Sequence, residues 1–261
     1  MDRLSAEDIR AGLRTQLIGR DVVYLPEVAS ANDVARRLAE EGAAEGTLVV
    51  ADYQAAGRGR LGRRWQAPPG SSLLLSLLFR PPLAPDRVQG LTMVCGLAVA
   101  DAVGARTGLD VGLKWPNDVV LGGRKAGGIL IEVALRGDEV DYVVAGIGLN
   151  VNLDPGRLDE GLLVPATSLS HVLGRPVPRL PLLQALLAAI EGRYLALCHG
   201  HSPRREWAAR LTTLGRRVSV SGGGQALEGV AEGVTAAGGL QVRLDDGRLE
   251  TVLAGDVSLR P

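Results

Sequence analysis

Lysine is almost absent from this chain: of its 29 basic residues only Lys114 and Lys125 are lysine, and the rest are arginine. Both lie in one segment, KWPNDVVLGGRKAGG. Arginine is a broad planar fork and lysine a compact point charge, so keeping lysine only here points to a narrow site for a phosphate or carboxylate oxygen. Net charge is lacking as well, with 29 basic against 29 acidic groups, which excludes a molecule-wide field that would hold nucleic acid or a lipid surface. Any anion has to be met by a local patch. The two cysteines, Cys95 in an apolar run and Cys198 near a helix end, make no disulfide framework and fit a reducing cytoplasm. Aromatic residues are 3% of the chain, which leaves the core to Leu, Val and Ala and makes Trp65, Trp115 and Trp207 conspicuous. No apolar stretch reaches the ~18 residues of a membrane span, and the start MDRLSAEDIRAGLR has no signal-peptide core, so the expectation is a cytoplasmic protein with no membrane partner.

Several chemical signatures are missing. There is no G-x-x-x-x-G-K-[ST] loop, no strand-borne G-x-G-x-x-G with a trailing acid, no G-x-S-x-G elbow and no cysteine beside a plausible base. These absences exclude a P-loop, a dinucleotide fold and covalent catalysis by the protein. CHGH at 198–201 follows a helix end without a second ligand cluster, so no metal site is assigned to side chains.

What is there divides into two unequal parts. At 261 residues the chain suffices for one substantial core and a small appendage. Ser5 and Asp8 resemble a capping box opening a helix to about Ile18, and Ser30 with Asp33 repeats that signature before a helix over about Asn32 to Glu41. Strands are expected at Val22 to Leu25, in TLVVA after Gly46, in SSLLLSLLF, at Val111 to Lys114 and Val119 to Leu121, and in GILIEVAL and VDYVVAGIGLNV. Helices are expected over about Val88 to Thr107, Leu182 to Leu197 and Arg204 to Leu214. After Gly215 the pattern changes to short alternating pieces, RRVSV, ALEGVAEGV, LQVRL and LETVL, read as a small β-domain. The expected division is 1–214 and 215–261.

Three segments carry chemistry. In YQAAGRGRLGRRW, Tyr53 to Trp65, glycines such as Gly57 and Gly59 let backbone N–H groups wrap an anion, while Arg58, Arg60, Arg63 and Arg64 add forked donors. No acid occurs from Tyr53 to Pro85, so positive charge concentrates here. In KWPNDVVLGGRKAGG, Asn117-Asp118 is expected to form a tight turn, and a Gly122-Gly123 hairpin returns Lys125 to Asp118 and Lys114. AGIGLNVN ends an apolar strand; Gly146 and Gly148 allow close backbone approach, and Asn150 offers the donor and acceptor that suit an adenine edge or ribose.

In this order and spacing, EVASANDVARRL, GRGRLGRRW, KWPNDVVLGGRKAGGILIE and AGIGLNVN resemble the biotin protein ligases, closely over Val22 to Val151 and more loosely beyond. The resemblance implies an α/β (α+β) catalytic domain, a mixed sheet with flanking helices related to class II aminoacyl-tRNA synthetases, followed by an SH3-like barrel. It implies ATP and biotin as substrates with Mg²⁺, biotinyl-AMP as the intermediate, and a lysine of a biotin carboxyl carrier protein or domain as acceptor. By position, Ser30, Ala31, Asn32, Gln54, Gly57, Arg58, Gly59, Arg60 and Lys125 would line the biotin site. Arg58, Arg60, Arg63, Trp65, Asn117, Lys125 and Asn150 would meet the nucleotide. Lys125, Arg58, Asp118 and Lys114 would carry the chemistry, with Asp118 handling the acceptor amine and Lys114 fixing that carboxylate. Ala31 stands where the family usually has threonine, so one hydroxyl contact to the biotin head group is absent or replaced. The loop at 57–64 is expected to be a mobile lid, with Trp65 packing over it. Only about 20 residues precede the first strand, so a ligase without a DNA-binding domain is expected, as a monomer or homodimer. A lipoate or octanoate ligase and a non-catalytic adenylate-binding module are the competing expectations.

Overall fold

The computed structural model describes residues 4–157, 165–221 and 227–259. Its larger sheet is built from β1 (Val22–Val28), β2 (Leu48–Gln54), β3 (Ser72–Phe79), β4 (Gly112–Lys114), β5 (Asp118–Leu121), β6 (Arg124–Arg136) and β7 (Glu139–Asn150). Their order is β1-β2-β3-β7-β6-β5-β4, with β1 and β2 parallel and the other neighbours antiparallel. The sheet is therefore mixed, as expected.

Strand β3 shows why it holds together. All eight residues of SLLLSLLF are buried, and they alternate between two layers. Leu73, Leu75, Leu77 and Phe79 join the layer of α3 (Gly90–Thr107) and α5 (Arg179–Cys198), while Leu74 and Leu78 join the layer of α2 (Ala31–Glu40). Each fully buried leucine contributes about 1.5–3 kcal/mol, so a register slip that moved them between layers would be strongly opposed.

The segments Pro85–Thr107 and Arg179–Cys198 are long and apolar enough to cross a membrane by length and composition, contrary to the expectation that no such stretch exists. Counting uninterrupted apolar runs missed them, because scattered polar residues break each run. Here α3 and α5 pack against each other and the sheet, with Leu91, Val94, Leu186 and Ile190 at 0% exposure.

Two helices are shorter than expected. α1 spans Ala6–Ala11, with the expected Ser5 cap on the Asp8 amide, and stops well before Ile18. The amides of Gln16, Leu17 and Ile18 donate to the Glu191 carboxylate at 2.7, 2.7 and 2.8 Å. A side chain 173 or more positions away in sequence thus takes donors that a helix would have used. α6 is Arg204–Arg210 and ends before Leu214, because Leu211 turns extended and Thr212 donates to the Leu113 carbonyl at 2.8 Å. A short α4, Leu169–Leu173, was not expected.

The C-terminal strands β8 (Arg217–Ser221), β9 (Leu227–Val234), β10 (Leu240–Arg243), β11 (Leu249–Val252) and β12 (Asp256–Leu259) form an antiparallel sheet in the order β11-β10-β9-β8-β12. β12 was not read from the sequence, and Ala226, expected to open the second strand, lies outside the described residues. This sheet shares a core with the larger one through Val218, Val220, Ala231, Leu240 and Val242. Trp115, 1% exposed, donates its indole N–H to the Gly238 carbonyl at 2.8 Å across the joint.

Glu191→Ala would leave three amides without their acceptor. The expected loss is about 3 kcal/mol in urea unfolding, with Glu191→Gln intermediate; an unchanged midpoint would show that water replaces the carboxylate at no cost.

Candidate active site

The site begins with what β6 and β7 leave out. Gly128 pairs with Gly148 and Leu130 with Gly146, so three glycines fall on one face of the sheet. A Cβ at Gly146 would lie 2.3 Å from Asn32 Oδ1, and one at Gly148 2.6 Å from Trp65 Cε2. At Gly128 it would sit 3.4 Å from the Trp65 ring and 3.7 Å from Lys125 Nζ. The missing side chains form a trough into which Asn32, Trp65 and Lys125 descend.

At one end of the trough is the start of α2. Ser30, Ala31 and Asn32 are buried. The Ala31 amide donates to Gln54 Oε1 at 2.7 Å, while Asn32 Nδ2 donates to Glu132 Oε2 and Ser76 Oγ donates to Asn32 Oδ1, both at 2.6 Å. The capping box expected from Ser30 and Asp33 is not made, since Ser30 has no side-chain cap bond. Asp33 instead receives both terminal nitrogens of Arg58, and that bond holds its carboxyl below the usual range.

The glycine-arginine segment is a small hairpin. Trp65 N–H donates to the Gly57 carbonyl at 2.8 Å and Gly59 N–H to the Arg63 carbonyl at 2.7 Å. At its tip Leu61, 72% exposed, takes a left-handed φ of 55° and Gly62 one of 70°. Trp65, expected to pack over this loop, instead turns into the trough, because Gly148 leaves room for a flat ring there. Arg60 donates to the Gly255 carbonyl at 3.2 Å, and Arg63 is ion-paired to Asp256. The C-terminal sheet thus holds the hairpin. Burial pushes the Arg60 pKa down, against the pull of Asp256 and Asp118.

The charged centre lies on β4 to β6. Lys125 Nζ is 2.5 Å from Asp118 Oδ1 and 5.7 Å from the centroid of the Trp65 ring. Lys114 faces Asp118 across β4 and β5, but the carboxylate it was expected to fix is held by Lys125. Burial lowers the Lys114 pKa, opposed by Asp118 and Asp256. Asn117 belongs to the turn of residues 115–117, whereas Asp118 opens β5 rather than sharing that turn. Asn117 Nδ2 donates to the Ile129 carbonyl at 2.6 Å, so this side chain locks the turn and its amide nitrogen is engaged by the protein.

Asn150, 4% exposed, donates from Nδ2 to the Thr167 carbonyl at 3.0 Å. Its Oδ1, together with Trp65 Nε1 and Thr167 Oγ1, is buried without a hydrogen-bond partner. Buried polar atoms are nearly always paired, so three orphans here mark places for a ligand's complementary groups. Among the described residues no three His, Cys, Asp or Glu side chains come together to hold a metal ion.

The sequence reading missed Glu132, Asp33, Ser76, Thr167 and Asp256. Glu132 lies four residues beyond Gly128, on the same face by strand alternation, and could have been found that way. Asp256 had no signal, being brought to Arg63 from 193 residues away.

A model described as the biotin/lipoate A/B protein ligase family matches residues 25–150, and one described as the biotin protein ligase C terminal domain matches 213–260. The chain is 36% identical to the biotin--[acetyl-CoA-carboxylase] ligase of Mycobacterium tuberculosis over 98% of this chain and 97% of that one. It is 34% identical to the bifunctional ligase/repressor BirA of Bacillus subtilis over 98% of this chain and 79% of that protein. Among solved structures, the biotin protein ligase from Aquifex aeolicus in complex with biotin and ATP superposes with a TM-score of 0.77 and 30% identity, over 92% of this chain and 99% of that one.

Gly148→Ala would drive a methyl group into the indole. The expected result is about 1–3 kcal/mol of destabilisation and a red shift in tryptophan emission that Trp65→Phe abolishes; an unshifted spectrum would show the ring does not depend on this gap.

Proposed function

This chain belongs to the biotin protein ligases, and we propose that its trough binds biotin and ATP side by side, with Lys125 between them. The enzyme activates biotin with ATP to biotinyl-5'-AMP and transfers the biotinyl group to a lysine of an acceptor. The acceptor is the biotin carrier domain of a biotin-dependent carboxylase. The catalytic unit is assigned to residues 1–214, of class II synthetase-like type, and residues 215–261 to an SH3-like domain that holds the loop. A cytoplasmic location fits both substrates.

One observation carries the assignment of roles: the Lys125 ammonium lies over Gly128 beside Trp65, paired to Asp118 at 2.5 Å. In the first half-reaction a biotin carboxylate oxygen attacks the α-phosphorus of ATP, and the bond to the pyrophosphate oxygen breaks. Negative charge gathers on the phosphoryl oxygens, and cations fixed beforehand are the main source of catalysis. Lys125 bridges the carboxylate and the α-phosphate, while Arg58, Arg60 and Arg63 take the phosphates. Mg²⁺ arrives with ATP as part of the substrate, since a metal bound largely by phosphates and water needs few protein ligands. Ser30, Asn32 and Gln54, with Gly57 and Gly59 close by, hold the polar atoms of biotin at the α2 end. Ala31 contributes its amide through Gln54 and offers no hydroxyl there. Asn150 Oδ1, buried and unpaired, suits the adenine amino group. Asn117 supports the nucleotide site by locking the 115–117 turn.

In the second half-reaction the acceptor amine attacks the acyl carbon and AMP leaves. The amine must lose a proton, and Asp118, 2.5 Å from the Lys125 ammonium, is the carboxylate assigned to take it. Moving Lys125 from Asp118 to the substrate uncovers that carboxylate for the incoming amine. Lys114 stays as its cross-strand neighbour. The hairpin at 57–64 closes over the adenylate and keeps water out.

The test is biotin-dependent exchange of labelled pyrophosphate into ATP, run beside lipoate and octanoate. Exchange with biotin alone is expected; exchange only with the other acids would move the chain to the lipoate branch. Lys125→Arg is expected to lose about 10²-fold or more, because the wide fork cannot enter the gap beside Trp65. Near-normal exchange in that variant would overturn the bridging role.

A further inference from the structure

Arg58 is already occupied. It donates from Nη1 to Asp33 Oδ2 at 2.7 Å and from Nη2 to Asp33 Oδ1 at 2.6 Å. Two parallel N–H···O bonds are also the geometry with which a guanidinium takes a phosphate, so a phosphate approaching this edge competes with Asp33 for it, while Glu132 stands further off at 4.0 Å. Both side chains are about a third exposed, at 38% and 34%, where an ion pair is screened and readily exchanged. Asp33 also has a second cation, Arg36, at 3.3 Å, one turn along α2. When Arg58 leaves, that carboxylate keeps a partner. The Ala31 amide at the helix start takes Gln54 rather than Asp33 as its acceptor.

We propose that Asp33 is a positioning residue that stands in for substrate phosphate, holding Arg58 beside the trough before ATP arrives and yielding the guanidinium to the nucleotide. This rests on the reading of Arg58 as a phosphate ligand. Asp33 then competes with ATP and sets its affinity without touching the substrate. A carboxylate that only ordered the loop would act in the opposite sense, because its removal would weaken ATP binding.

The sign of the effect is the test, read by pyrophosphate exchange on the full chain. Asp33→Asn, with Asp33→Ser as a second variant, is expected to lower the KM for ATP about three- to five-fold and to leave the KM for biotin within about twofold. Asp33→Glu is expected to restore the wild-type value. Arg36→Gln strips the carboxylate of its second partner and should raise the KM for ATP about twofold. The gain in Asp33→Asn should shrink at high salt, which screens the wild-type pair. An unchanged or raised KM for ATP in both Asp33 variants overturns the proposal. Arg58→Ala, run in parallel, separates the two readings: an unchanged KM for ATP there overturns the phosphate role of Arg58, whereas a raised one with no gain from Asp33→Asn overturns the stand-in alone.

Discussion

The site depends on the close approach that Gly146 and Gly148 permit on one face of β7, opposite Gly128 of β6. A sheet face buried in a protein interior is normally filled by side chains packed to crystal-like density. Leaving Gly146 and Gly148 without side chains lets an amide and an indole lie almost on the backbone, with the Lys125 ammonium beside them. Each is then fixed by contacts on several sides, which is what a reaction relying on positioned charge requires. The opposite face of the sheet is packed by α3 and α5, so the strands are held from behind.

Those glycines were visible in the sequence, but their meaning was only partly legible. Gly146 and Gly148 read correctly as points of close approach, yet what approaches them, Asn32 and Trp65, comes from segments 114 and 83 positions upstream. Trp65 was assigned to the loop because it follows the loop, and sequence proximity is a poor guide once a neighbouring strand offers a cavity of the right shape. Asn117 has a second task that its residue type did not announce: its amide nitrogen donates to the Ile129 carbonyl and locks the 115–117 turn. The strands and long helices were legible because they rest on periodicity within the chain. The end of α1 was not, because Glu191 decides it from another helix.

The two sheets are joined at points that also serve the site. Trp115, in the segment that carries both lysines' signature, is anchored on Gly238, while Arg60 and Arg63 reach Gly255 and Asp256. One appendage therefore touches the central segment and the hairpin together. Motion of the hairpin relative to the trough has to break contacts with the smaller sheet or carry that sheet along.

The zero net charge of the chain acquires a local meaning here. Arg58 is paired with Asp33, Arg63 with Asp256 and Lys125 with Asp118, so three of the cations proposed to meet the substrates are each balanced by a carboxylate. A cluster of bare cations would repel itself and splay open, whereas paired ones hold their geometry. On the proposed roles the arrangement exchanges some affinity for order, because a phosphate competes with each carboxylate. The exchange is least symmetrical at Lys125. A point charge can slide from Asp118 to a substrate oxygen over a short distance, whereas a fork that leaves one anion for another must rotate its whole plane. That difference gives a physical reason for the chain to keep lysine in this segment while using arginine for its other cations.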